Sequence, residues 1–295
     1  MAAALTAVVI VAAGRGERMG AGPDAPPKQL QPILGRPALA WSIEFFERLD
    51  AIDAICIVTQ PQWRDAARAI AREAQLRCRA ASVRSVPAPV GAASGWSVPA
   101  PVQTSAAPTP PLSAPAPTPS HPDSAASPKP LYWANGGARR QDSSLAGLRA
   151  LPPDVDIVAI HDAARPFPPR EGVEQAIAAA REHGGALLAI PMTDTVKRAD
   201  AGGKIIETLD RDRLWLAQTP QVFQRALLAR AFEAVEKAGL DLTDDAAALE
   251  FIGHAPHLVM GSIENLKITT PADWPRAEDI ARSRSQSAFP RLDIC

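Results

Sequence analysis

The residues best suited to chemistry come early: Ala12-Ala13-Gly14-Arg15-Gly16-Glu17-Arg18-Met19-Gly20, then Pro26-Pro27-Lys28-Gln29. Glycines let a backbone approach a phosphate closely, and successive N–H groups can cradle its oxygens. A Walker A loop needs Gly-Lys-Ser/Thr, which is missing. A dinucleotide fingerprint wants an acidic residue closing the second strand, where Thr59 and Gln60 stand. A third reading joins the loop amides to Arg18 and Lys28 around a triphosphate. An ordinary turn with solvated charges competes with it while the loop is taken alone.

A second group, His161-Asp162-Ala163-Ala164-Arg165-Pro166, follows the apolar run Val155–Ile160. Asp162 then sits at the carboxyl end of a strand, where ligands gather in open α/β sheets. It is read as a ligand for a metal or for a substrate hydroxyl, with Arg165 as a substrate contact. A capped helix start with a local ion pair is the plain alternative. His161 reads as a packed structural residue rather than a catalyst. No Ser-His-Asp constellation is legible.

The opening loop resembles the nucleotidyltransferases that activate sugar and alcohol phosphates. Further segments follow in order: 138–148 (Ala-Arg-Arg-Gln-Asp-Ser-Ser-Leu-Ala-Gly-Leu), 161–166, Asp194-Thr195-Val196-Lys197, Gln218-Thr219-Pro220-Gln221, Leu242-Thr243-Asp244-Asp245 and Glu264-Asn265-Leu266-Lys267-Ile268-Thr269. Together they resemble the 2-C-methyl-D-erythritol 4-phosphate cytidylyltransferase family over about 5–80 and 131–282. The resemblance implies CMP transfer from CTP to that alcohol phosphate, for isoprenoid precursors. Arg18, Lys28 and Lys267 are then the catalytic cations. Ala12, Ala13, Gly14, Arg15, Gly16, Gly137, Ser143 and Ala163 hold the nucleotide. Asp162, Arg165, Thr195, Arg211 and Thr219 hold the substrate. Mg²⁺ or another divalent cation bridges the triphosphate, with Asp162 as the protein ligand. Ala138 departs from the pattern, since many relatives carry an acidic residue there. Ser143 reads equally as a helix N-cap, and Arg211 as part of the charged turn 210–213. A cytidylyltransferase for another polyol phosphate, such as ribitol 5-phosphate, and a non-catalytic nucleotide-binding protein are the alternatives.

The elements that must position these groups alternate. Thr6–Ala12, Ala54–Thr59, Val155–Ile160, Ala186–Pro191 and His257–Met260 read as strands. Helices are expected around Leu39–Phe46, after Thr59 to about Arg77, and over Ser143–Leu151, Val173–His183, Ala226–Ala238 and Asp244–Phe251. This is an α/β, Rossmann-like pattern: a mostly parallel sheet with helices on both faces. The resemblance makes it the nucleotide-diphospho-sugar transferase type. Residues 193–215, with Ala-Gly-Gly at 201–203, read as a projecting β-arm suited to a homodimer.

Residues 87–130 hold 13 of the 30 prolines and only two charges, Asp123 and Lys129. Such a stretch buries too little apolar area to offset its ordering entropy. We expect a disordered insertion at about 80–130 in a single domain spanning 1–282, with 283–295 as a tail and no fused second domain. A formal net charge of −1 gives no general attraction to nucleic acid or membrane. Three cysteines without pairing or metal spacing suit a reducing, cytoplasmic setting. Met1–Ala13 lacks a basic leader and runs straight into the loop, so it is expected to be a strand rather than a signal.

Overall fold

The computed structural model describes residues 5–14, 26–84 and 127–287. Arg15, Gly16, Arg18 and Cys295 lie outside the described residues, as do most of the proline-rich stretch and the last eight residues of the expected tail.

Seven strands form one sheet in the order β11-β7-β10-β6-β1-β4-β5. They are β1 (Leu5–Val11), β4 (Ala54–Thr59), β5 (Leu131–Asn135), β6 (Val155–Asp162), β7 (Gly185–Pro191), β10 (Trp215–Gln224) and β11 (His257–Met260). Two short strands, β2 (Pro32–Ile33) and β3 (Arg36–Pro37), pair before the first helix. Every pairing in the large sheet is parallel except those of β10 with β6 and β7.

β1 is central, and its β-branched run alternates between two cores. Val8 and Ile10 face α1 (Ala38–Glu47), α2 (Arg64–Arg84) and α4 (Arg170–His183). Ala7 and Val9 face α3 (Arg140–Ala150), α5 (Arg225–Ala238) and α6 (Ala246–Phe251). α3 lies very close to the sheet because of Gly147, where an added Cβ would come within 2.2 Å of Val9 Cγ1.

Several elements differ from expectation. β5 is not anticipated, because it stands directly against the proline-rich stretch. Its entrance is fixed by Lys129, whose Nζ donates to the carbonyls of Phe46 and Leu49 at 2.8 and 2.5 Å. The Lys therefore satisfies carbonyls at the end of α1, and burial pushes its amine down to about 8. α2 runs to Arg84, seven residues beyond the expected end. β10 carries little apolar alternation around Pro220, so its polar run shows no strand signal. α7 (Asp273–Ser287) extends into the first residues of the expected tail.

The expected hairpin is present as a separate two-stranded sheet, β8 (Lys197–Ala199) with β9 (Ile205–Thr208). Asp200 Oδ1 accepts the N–H groups of Gly202 and Lys204 at 2.9 Å and closes the turn. Gly203 sits at φ +84°, a left-handed conformation suited to glycine. Every residue of both strands is exposed.

Candidate active site

A cleft of about 560 Å³ opens where β1, β4, β5 and β6 reach their carboxyl ends. Its first wall is the turn after β1. Gln29 Nε2 donates to Ala12 O and Gly14 O, and Gln60 Nε2 donates to Ala13 O at 3.1 Å. Three successive carbonyls are thus engaged by side-chain amides. The N–H groups of Ala13 and Gly14 make no hydrogen bond among the described residues. The turn offers donors rather than acceptors, which suits an anion.

The second wall is Gly136-Gly137 and the start of α3. A Cβ at Gly136 would meet Ala13 Cβ at 2.1 Å, so glycine lets the two walls approach. Arg139 occupies the N-cap of α3, and its N–H donates to Asp142 at 3.0 Å. Ser143 is therefore not the N-cap, contrary to the reading from sequence. The Asp142 bond starts the helix three residues earlier than expected and leaves Ser143 inside the first turn. Its hydroxyl accepts from Gly137 N at 3.0 Å and holds that corner closed.

The cleft floor is a charge network. Arg140 Nε donates to Asp162 Oδ1 at 2.9 Å, and its Nη1 donates to Asp245 Oδ2 at 2.7 Å. Lys267 Nζ lies 2.6 Å from Asp162 Oδ2. Burial pushes the Asp162 carboxyl up, but Arg140 and Lys267 outweigh it and hold the group well below the usual carboxylate range. Asp245 is fully buried, and burial raises it despite the pull of Arg140. Gln221 fixes Asp245 by accepting its N–H at 3.0 Å and that of Ala246 at 2.9 Å.

Lys267 is delivered by the loop before α7. Ala277 and Ala281 of that helix pack with Phe167, Ile268 and Ile33. Ile268 N donates to Ala164 O at 2.9 Å, while Ile268 O accepts from Lys28 Nζ at 2.6 Å. Residues 28 and 267–268 thus meet at the cleft.

Other expected site residues stand elsewhere. Ala163 is buried, with its N–H donating to Val11 O at 3.1 Å. Arg165 reaches away from the cleft lining, donating to Asn265 O at 2.7 Å, so it braces the Lys267 loop. Thr219 is buried behind Asp162 and accepts that residue's N–H at 3.0 Å. Thr195 and Arg211 are exposed at the base of the β-arm, where Arg211 Nη1 donates to Thr193 O at 2.6 Å. Neither lines the cleft of the same chain.

With this geometry in hand, the family model described as 2-C-methyl-D-erythritol 4-phosphate cytidylyltransferase (IspD) matches residues 6–84 and 120–283. The chain belongs to this family. A cytidylyltransferase of this name from Thermosynechococcus vestitus is 32% identical over 279 residues, covering 95% of this chain and 96% of its own. The chloroplastic protein of Oryza sativa is 30% identical, covering 94% of this chain and 74% of its own. The crystal structure of the Thermus thermophilus enzyme is 25% identical with a TM-score of 0.61, covering 95% and 99%. The synthase from Anaerococcus prevotii shares the fold at 23% identity and a TM-score of 0.68, covering 95% and 96%.

Within this cytidylyltransferase chain, sequence reasoning assigns no role to Arg140, Asp245, Gln29 or Gln60. The first three stand inside segments that carry the resemblance. Nothing in their spacing reveals that Arg140 meets a carboxylate 105 positions away.

His161 makes a stability test. It is fully buried, edge-on to Phe46 with ring centroids 5.0 Å apart. Its Nε2 lies 2.9 Å from Arg165 O, an acceptor, so Nε2 carries the proton of the neutral ring. Burial lowers its pKa to about 4, against the partial counter-pull of Asp162. The unfolded chain therefore takes up the proton first as pH falls from about 6.5. Stability should drop by about 3 kcal/mol between there and pH 4 through this residue alone. Urea unfolding across that range should show a shallower loss in His161→Gln; equal slopes would exclude His161 as the source.

Proposed function

We propose that this cleft is where the enzyme transfers CMP from CTP to 2-C-methyl-D-erythritol 4-phosphate. The observation that carries this reading is the meeting of Lys28 and the Lys267-Ile268 pair over Asp162, beside a turn whose free groups are donors. The substrate phosphate is already an anionic nucleophile and needs no base. One of its oxygens forms a bond to the α-phosphorus of CTP as the bond to the β-phosphate oxygen breaks. The products are 4-diphosphocytidyl-2-C-methyl-D-erythritol and pyrophosphate. The demand on the protein is electrostatic: two anions must be brought together and the leaving charge stabilised. Lys28 and Lys267 supply that charge, with Arg18 as the third proposed cation. Asp162 aims Lys267 through their 2.6 Å ion pair. The relatives named above offer nothing for the ribitol 5-phosphate or the non-catalytic reading.

Asp162 is the one carboxylate lining the cleft among the described residues, and no cluster of three or more metal-ligating side chains occurs among them. One carboxylate fits a Mg²⁺ held chiefly by triphosphate oxygens, not a cage built from protein alone. When bound, such an ion would neutralise phosphate charge, with Asp162 as its protein ligand.

The reading extends to a homodimer. Ile205, Ile206, Trp215 and Leu216 expose apolar area on and beside the arm, the kind of patch that a second subunit covers. Thr195 and Arg211 are then offered to the partner's cleft, where Arg211 can grip a phosphate with its planar fork. The family match skips 85–119, which supports reading that stretch as an insertion in one catalytic domain. A cytoplasmic setting is proposed on the two buried free thiols, Cys56 and Cys78. No described helix is long and apolar enough to cross a membrane.

Purified protein with Mg²⁺, CTP and 2-C-methyl-D-erythritol 4-phosphate should release pyrophosphate selectively over ATP, GTP and UTP. Lys267→Ala should lower kcat about a hundred- to a thousandfold, as loss of a charge-stabilising donor does. Release with ribitol 5-phosphate alone would redirect the substrate, and none with any polyol phosphate would end the catalytic reading. For the arm, Arg211→Ala and Lys267→Ala subunits should be nearly inactive separately and regain activity as mixed dimers. A mixed dimer has one site with both defects and one with neither. No recovery would place Arg211 in its own subunit's site.

A further inference from the structure

We infer that Gln60 is the specificity residue that selects cytosine over uracil, a role that rests on the nucleotide reading above. The sheet order β6-β1-β4-β5 divides the cleft. Lys28, Asp162 and Lys267 gather where β1 and β6 end. Gln60 follows β4, two strands from β6 and so about 10 Å from it across the ladder. Ala13 and Gly136 stand beside it, and Gly137 lines the same cleft. Arg139, which lines that side of the cleft, is paired with Asp142 at 2.7 Å and Asp241 at 2.8 Å. A triphosphate belongs at the cationic end, which leaves the uncharged end to the base.

The amide of Gln60 cannot turn freely there. A backbone carbonyl only accepts, so the bond to Ala13 O at 3.1 Å fixes the NH₂ group on the turn. Flipping the amide would set two oxygens against each other. Gln60 Oε1 has no partner among the described residues, and the side chain lines the cleft. The result is a locked acceptor. Cytosine presents an amino donor at its 4-position, and uracil presents a carbonyl acceptor. The locked oxygen bonds the first and repels the second.

Paired measurements of pyrophosphate release test this. The substrates are CTP, UTP and the CTP analogue whose base is pyrimidin-2-one, which lacks the 4-amino group. The variants are Gln60→Met, which keeps the length and loses the acceptor, and Gln60→Ala. Wild type should lose about tenfold or more in kcat/KM on the analogue, and Gln60→Met should lose little further. The CTP-to-UTP ratio should fall by about ten- to a hundredfold in both variants. An unchanged ratio in folded variants, or wild type that uses the analogue as well as CTP, would overturn the role of Gln60 and leave the enzyme assignment standing. Wild type without any CTP turnover would overturn the assignment itself, and this inference with it.

Discussion

One guanidinium holds the cleft together. Arg140 stands between Asp162 at the end of β6 and Asp245 at the start of α6, at 2.9 and 2.7 Å. Two buried carboxylates so close would otherwise repel each other, and burial alone would drive both towards protonation. With Arg140 between them, Asp162 stays ionised and can carry Lys267. Removing one partner from such a buried group typically costs about 3–5 kcal/mol, because it strands an uncompensated charge. A hydrophobic replacement of the whole group is often as stable, so the network is weak evidence of stabilisation by itself.

The rest of the site is arranged around that fixed charge. Thr219 on β10 holds the Asp162 backbone, while Arg165 reaches from the loop after β6 to brace the segment before Lys267. Asn265 Nδ2 donates to Thr219 O at 2.9 Å and ties the same segment to β10. The antiparallel strand in an otherwise parallel sheet is thus the element that couples Asp162 to Lys267. On the far side, Gln29 and Gln60 occupy the carbonyls of the turn after β1. The two amides and the charge network together leave N–H donors and cations facing the cleft at one end and the Gln60 amide at the other.

Much of this was legible in sequence. The β-branched runs at β1, β4 and β6 announce buried parallel strands, and the start of the turn after β1 lies at the cleft. The polar β10 was not legible, because Gln218, Thr219, Gln221 and Gln224 are held by side-chain bonds that apolar alternation does not report. Ser143 misled as an N-cap because Asp142 starts the helix earlier. Arg140 and Asp245 were present in the motifs yet carried no visible role. Their meeting depends on the sheet bringing α3 and α6 side by side, which no local pattern encodes. Thr195 and Arg211 stand outside the cleft of their own chain.

The central claim, that Arg140 and Asp245 form one coupled unit beneath the site, is open to a double-mutant cycle. Urea unfolding would be followed for wild type, Arg140→Gln, Asp245→Asn and the double variant. The account predicts that the double variant is more stable than Arg140→Gln alone by about 1–3 kcal/mol, since neutralising Asp245 removes the stranded charge. Additive effects within about 0.5 kcal/mol would contradict it and reduce the bridge to a contact without energetic consequence.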